Sequence, residues 1–199
     1  GTTQQKRESI KIDYFDQFVF VDTDIVLHEH QLMYQLKASE PLSGKYIVSP
    51  ALPMWFDNSW DVLGCSGMGD VSFNTKETLE SVHTQQPTQL SMKQIPHIKF
   101  GCGMHTLYSK EFWQFIGIPE SFGGYGPEDT FAMGAADFSN QRGYDIKQYV
   151  LDGIYITEDY FNREPTIKDK IIKSDLKLDF YENAKSHYTE EMLKFISTL

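Results

Sequence analysis

Two acidic pairs carry the residue types and spacing that could do chemistry in this chain. Asp22-Thr23-Asp24 closes an apolar run, Phe18-Val19-Phe20-Val21. Side chains two apart on a strand point the same way, so both carboxylates would face one spot at the sheet edge. Two hard oxygen ligands there suit Mn²⁺ or Mg²⁺, with substrate phosphates completing the shell. The same strand end also fits a covalent nucleophile at Asp22. The second pair is Glu128-Asp129, preceded by Gly124-Tyr125-Gly126-Pro127. If Pro127 opens a helix, both acids sit in its first turn, where unpaired N–H groups and the helix dipole favour negative charge. That also describes ordinary capping acids. The glycine-aromatic-glycine lead-in adds a place where backbone and one ring can approach a ligand closely.

A third segment, Phe100-Gly101-Cys102-Gly103-Met104-His105, puts two glycines at a strand end, where a substrate can lie against bare backbone. Cys102 reads either as a residue near a site or as a small residue in a tight turn. His105 reads either as a ligand or base, or as a structural histidine.

The elements that must position these residues follow from local pattern. Residues 3–12 read as the end of a helix, 18–21 as a strand, 28–37 as a short helix and 46–48 as a strand stopped by Ser49-Pro50. Residues 50–74 read as an irregular aromatic-rich loop, 75–82 as a helix and 84–97 as a connection. Ser109 is a candidate N-cap and Gly117 a candidate stop for a helix over 110–116. A helix is expected over 127–136, and short strands over 149–151 and 154–156. The tail from Thr166 reads as helical, opened by the capping-box spacing of Thr166-Ile167-Lys168-Asp169. Alternating strands and helices make the fold class α/β. The expected organisation is one catalytic unit over 1–165 with a helical segment, 166–199, packed on it.

Composition narrows the function classes. The chain has 199 residues, 40% hydrophobic and 14% aromatic, enough for a packed core. Its formal net charge of −10 argues against a non-specific nucleic-acid binder, which needs a basic face. Cys65 and Cys102 have no metal-ligand spacing and read as free thiols in a reducing compartment, which predicts a cytoplasmic location. No apolar run is long enough for an integral membrane segment. The polar start at Gly1 reads as a truncation.

Phe100-Gly101-Cys102-Gly103, Ser109-Lys110-Glu111-Phe112, Ile116-Gly117-Ile118-Pro119 and Gly124-Tyr125-Gly126-Pro127-Glu128-Asp129 come in one order. Together they resemble the catalytic segment of GT-A-fold glycosyltransferases, especially the β-1,4-galactosyltransferase-like group, over roughly residues 6–160. Asp22-Thr23-Asp24 is similar to the Asp-x-Asp metal motif of those enzymes. The resemblance implies a Rossmann-like nucleotide-diphospho-sugar transferase fold and a metal-dependent transfer of a sugar from a nucleotide-sugar donor, such as a UDP-sugar, to a carbohydrate acceptor with inversion. It implies that Asp24 binds Mn²⁺ (or Mg²⁺) directly. Asp22 would hold the ribose or the metal through water. Asp129 would be the general base, with Glu128 orienting sugar hydroxyls. Gly101 and Gly103 would lie near the donor sugar and diphosphate. Tyr125 would pack on the acceptor in place of the family's tryptophan. Trp55 and Trp60, with Phe56 and Tyr46 nearby, fall in a stretch that faces the acceptor in this fold; a hydrophobic satellite core is the other reading of those aromatics.

The chain departs from the family pattern in three places. Pro127 stands where the family has glycine. The third metal ligand, a histidine in the family, falls by spacing on Glu158, with His187 as a second candidate. Only about 17 residues precede Phe18, too few for the βαβ unit that holds the nucleobase in this fold. The resemblance therefore implies a C-terminal part of the domain, completed by missing N-terminal sequence or by another chain. Two other readings stand beside it. One is a haloacid-dehalogenase-like phosphatase with Asp22 as nucleophile, which leaves residues 100–129 unexplained. The other is a non-catalytic carbohydrate-binding relative.

Overall fold

The computed structural model describes residues 3–22, 25–27, 30–51, 55–56, 62–64, 91–98, 100–101, 105–122, 127–158 and 176–199. In chain order these form α1 (Thr3–Ser9), β1 (Gln17–Val21), β2 (Ile25–Leu27), α2 (Gln31–Ser39), β3 (Lys45–Ala51), β4 (Trp55–Phe56), β5 (Val62–Gly64), β6 (Ser91–Ile95), β7 (Phe100–Gly101), β8 (His105–Ser109), α3 (Lys110–Ile116), a 3₁₀ turn (Glu120–Phe122), α4 (Glu128–Gln141), β9 (Ile146–Glu158) and α5 (Leu176–Ile196). The class is α/β. A mixed open sheet runs β1-β8-β3-β9-β2, with β6 also paired to β9; a small second sheet runs β5-β4-β7. Among the described residues, no helix is long and apolar enough to cross a membrane.

The apolar run 18–21 becomes β1 and pairs antiparallel with β8, Phe18 opposite Tyr108 and Val21 opposite His105. β8 pairs with β3 only at Ile47 and Val48. Pro50 has no N–H to continue that ladder, so β3 goes on to Ala51 along β9 alone, in parallel register. The two short strands expected over 149–151 and 154–156 are one strand, β9. Its register against β3 jumps between Pro50 and Ala51, from Leu151 to Tyr155, so Asp152-Gly153 sits in a bulge and not in a turn. β6 was not expected: Ser91–Ile95 has no apolar alternation, and it is held by antiparallel pairing with β9. β4 and β5 lie in the stretch expected to be loop.

One face of the sheet carries the main core. Phe18, Ile47, Tyr108 and Ile146 pack against Phe112 and Trp113 of α3 and Phe131 and Ala135 of α4. Phe112 is fully buried, a contribution of about 2–3 kcal/mol. The local signals for α3 hold: the Ser109 hydroxyl accepts from the Phe112 N–H at 3.1 Å, and Gly117 stops the helix at φ 71°. α4 extends past the expected 136 to Gln141. The Asn140 side chain then holds Ile146 at both backbone groups, donating to its carbonyl at 2.8 Å and accepting from its N–H at 2.9 Å. That brace sets the start of β9. α5 packs Tyr188 and Phe195 edge-on to Phe131. Residues 166–175 of the expected helical tail lie outside the described residues, as does the expected helix 75–82.

The other face is covered by α2, and its polarity is inverted. Gln31, Gln35 and Ser39 point inward and are fully buried, while Leu32, Met33 and Leu36 are exposed. A surface helix normally buries its apolar stripe. Beneath α2 lie Tyr46, Val48 and Leu107.

Candidate functional site

β1 carries Asp22 at its carboxyl end, as its apolar sequence requires. Glu128 and Asp129 are the first two residues of α4, one position later than expected. Pro127 is the N-cap residue, and its carbonyl accepts the first helical bond, from the Phe131 N–H at 2.8 Å. The two acids therefore occupy the turn where backbone N–H groups are unpaired, and Asp129 Oδ1 accepts from the Thr130 N–H at 2.7 Å.

α1 closes over this acid pair, which no local pattern in the sequence indicates. Lys6 Nζ donates to Glu128 Oε1 at 2.5 Å, and Thr3 Oγ1 donates to Glu128 Oε2 at 2.9 Å. The Lys6 and Glu128 side chains are only 14% and 11% exposed, so this is a largely desolvated ion pair. The Lys6 ammonium also lies 5.8 Å from the Phe20 ring centroid. Arg7 ties the same helix to the Pro119 carbonyl at 3.2 Å.

Lys6 is the ammonium paired with Glu128. Burial lowers its pKa, but the hydrogen bond to Glu128 and the charges of Glu128, Asp129 and Asp22 outweigh burial, and the net shift is upward. Asp129 is held above the usual carboxylate range, first by burial and then by the Glu128 charge. The Thr130 N–H and Lys6 act against that shift. Behind the pair, Tyr108 is pushed far above its ordinary value by burial and by the Asp129 charge. Burial and a like-charged neighbour thus make the Asp129 carboxylate a better proton acceptor than an exposed aspartate.

Glu128 pairs with Lys6, and the charges of Asp129 and Asp22 act on the same ammonium. Glu158 is brought to the Asp-x-Asp segment: its backbone pairs with Ile25, the residue after Asp24. Gly101 lies in β7, with its backbone opposite that of Trp55 in β4. Asp24, Trp60, Cys65, Cys102, Gly103 and Tyr125, and the side chains of Trp55 and Glu158, lie outside the described residues. Among the described residues, no three His, Cys, Asp or Glu side chains form a metal cage.

His187 is exposed on α5 and faces Glu191 of the same helix. Tyr46 belongs to the core under α2 and not to an acceptor surface; it is 4% exposed and its hydroxyl accepts from Gln17 Nε2 at 2.7 Å. His105 resolves to the structural reading. It is fully buried, its Nε2 meets Gln35 Oε1, and burial pushes its pKa down to about 4. A histidine kept neutral by burial and capped by an amide is not free to take a proton at neutral pH.

The chain matches no family profile, no curated protein and no solved structure.

Proposed function

We propose that this chain is the catalytic part of a metal-dependent glycosyltransferase of the GT-A fold, similar to the β-1,4-galactosyltransferase-like group. It would move a sugar from a nucleotide-diphosphate donor, UDP-linked, to a carbohydrate hydroxyl with inversion. The observation that carries this reading is the position of Glu128 and Asp129 in the first turn of α4, with Glu128 paired to Lys6, whose ammonium also feels the charges of Asp129 and strand-end Asp22. A phosphatase using Asp22 needs no such partnership with the first turn of α4.

The step assigned to these residues is a single displacement. The acceptor oxygen forms a bond to the anomeric carbon as the bond from that carbon to the diphosphate oxygen breaks. UDP leaves with the bonding pair, and the acceptor proton passes to the Asp129 carboxylate. Glu128 would accept from sugar hydroxyls and hold the acceptor in line. Asp22 and Asp24, with Glu158 from β9, offer an all-oxygen donor set of the kind Mn²⁺ or Mg²⁺ takes. The bound ion supplies charge neutralisation at the leaving diphosphate. The pairing of Glu158 with Ile25 supports Glu158, and not His187, as the third ligand.

Calorimetric titration with UDP, in Mn²⁺ and in EDTA, tests the reading. Binding that requires Mn²⁺ and is lost in Asp22→Asn supports it. Metal-independent binding, or phosphate release from a phosphomonoester without any nucleotide sugar, would overturn it.

A further inference from the structure

We infer that Lys6 is the positioning residue of the acid pair: with Thr3, it sets the orientation in which Glu128 receives the acceptor. This rests on the glycosyltransferase reading above for the identity of the acceptor, and on geometry alone for the contact itself.

A glutamate carboxylate turns in a broad, soft torsional well, so its lone pairs have no preferred direction of their own. Here each oxygen of Glu128 takes a donor from a different residue of α1, Lys6 on one and Thr3 on the other. Two donors from one short helix fix the plane of the carboxylate. Each oxygen keeps a second lone-pair direction for a substrate hydroxyl. Lys6 Nζ has three hydrogens, and the Glu128 contact uses one of them. Its position is itself supported, by the Phe20 ring beneath it and by the Arg7 anchor one residue on.

The charge pattern gives Lys6 a second consequence. Glu128 pairs with this ammonium, and the charges of Asp129 and Asp22 also act on it. Without it, the largely buried Glu128 carboxylate loses its ion-pair partner and keeps the Thr3 hydroxyl, and the neighbouring Asp129 loses a compensating positive charge. A residue acting this way affects how the acceptor is held more than how the donor leaves. A residue that only helps the chain to fold would affect both alike.

The test uses Lys6→Met, Glu128→Gln and the double variant. Donors are UDP-glucose, UDP-galactose and their N-acetylamino forms, with free hexoses as acceptors. Lys6→Met is expected to lower transfer about ten- to hundredfold and to lower the ratio of transfer to donor hydrolysis at least about fivefold. Adding Lys6→Met to Glu128→Gln is expected to cost about twofold or less, because the two act as one unit. Parallel loss of transfer and hydrolysis, or losses that multiply in the double variant, would overturn the assignment. The contact has its own readout: the Lys6 ammonium should give a slowly exchanging ¹⁵N signal at neutral pH in the unaltered chain that disappears in Glu128→Gln. A chain that shows this signal but neither transfer nor hydrolysis sinks the glycosyltransferase reading and leaves the ion pair standing. Absence of the signal in the unaltered chain, or its persistence in Glu128→Gln, sinks the Lys6 assignment whatever the activity.

Discussion

Nε2 of His105 and Oε1 of Gln35 lie 2.5 Å apart in the layer between α2 and the sheet. Gln35 also donates its amide N–H to the Val48 carbonyl at 2.8 Å, so its oxygen is turned to the ring and His105 Nε2 is the donor. Among the described residues, Nδ1 is then a buried acceptor without a partner. Protonating it would place a charge where burial alone already opposes one.

This arrangement predicts acid sensitivity. The folded-state pKa of His105, about 4, lies below the ordinary value of 6.5. For a base held neutral in the fold, its contribution to stability is complete above about pH 6.5 and is lost as pH falls toward 4. The full span is about 3 kcal/mol. Urea unfolding from pH 7 to pH 4 should show this loss, and His105→Gln should flatten it. An unchanged slope in that variant would show that other groups cause the sensitivity.

Gln31, one helical turn before Gln35, is fully buried, and neither amide atom is paired among the described residues. Replacing a buried unpaired amide by an apolar group of similar shape removes a desolvation penalty. Gln31→Met should therefore stabilise the chain by about 1–3 kcal/mol in urea or thermal unfolding. Destabilisation instead would mean that the amide has a partner in solution, such as a trapped water.

Ser109 does two tasks with one oxygen. It caps α3 through the Phe112 N–H and accepts from the Tyr46 N–H at 3.0 Å, joining α3 to β3. Ser109→Ala would orphan two buried donors and should cost about 2–4 kcal/mol, above the usual loss for a cap alone. Ser109→Thr or Asp should recover part of that, measured by the same unfolding experiment.

Asp129 is expected to trade stability for function. Its folded pKa is raised, so the fold favours the neutral form. That preference adds stability at low pH and is lost as pH rises through the folded value, leaving a penalty at neutral pH. Asp129→Asn should raise the melting temperature at pH 7 but not at pH 3, and should lower transfer about 10²–10⁴-fold. UDP binding in Mn²⁺ should survive. Transfer that persists would remove Asp129 from the role of base.

Features set by neighbours along the chain were legible in the sequence. Ser109 and Gly117 bound α3 because capping and a left-handed stop act within one turn. Phe18–Val21 reads as a strand ending in acids because a continuous run of aromatic and β-branched residues is visible within a short window. The strand over 46–48 was legible for the same reason, and Pro50 marks where its pairing with β8 ends. The first-turn position of Glu128 and Asp129 follows from Pro127, with an error of one residue.

Only the tertiary structure decided which groups meet. β6 lacks a strand's alternation and exists because β9 offers it a ladder, a pairing that no short window contains. The inward glutamines of α2 contradict helical patterning, and they are satisfied, where they are satisfied at all, by His105 and Val48 from distant strands. The residue type of His105 allows a ligand, and its burial and Gln35 partner make it structural. Lys6 and Thr3 sit in a polar stretch with no motif, yet both reach Glu128 once β1, β8 and α4 have closed. The raised Asp129 carboxyl and the fixed Glu128 carboxylate likewise depend on burial and on one ammonium far away in the chain, and both are properties of the folded surroundings.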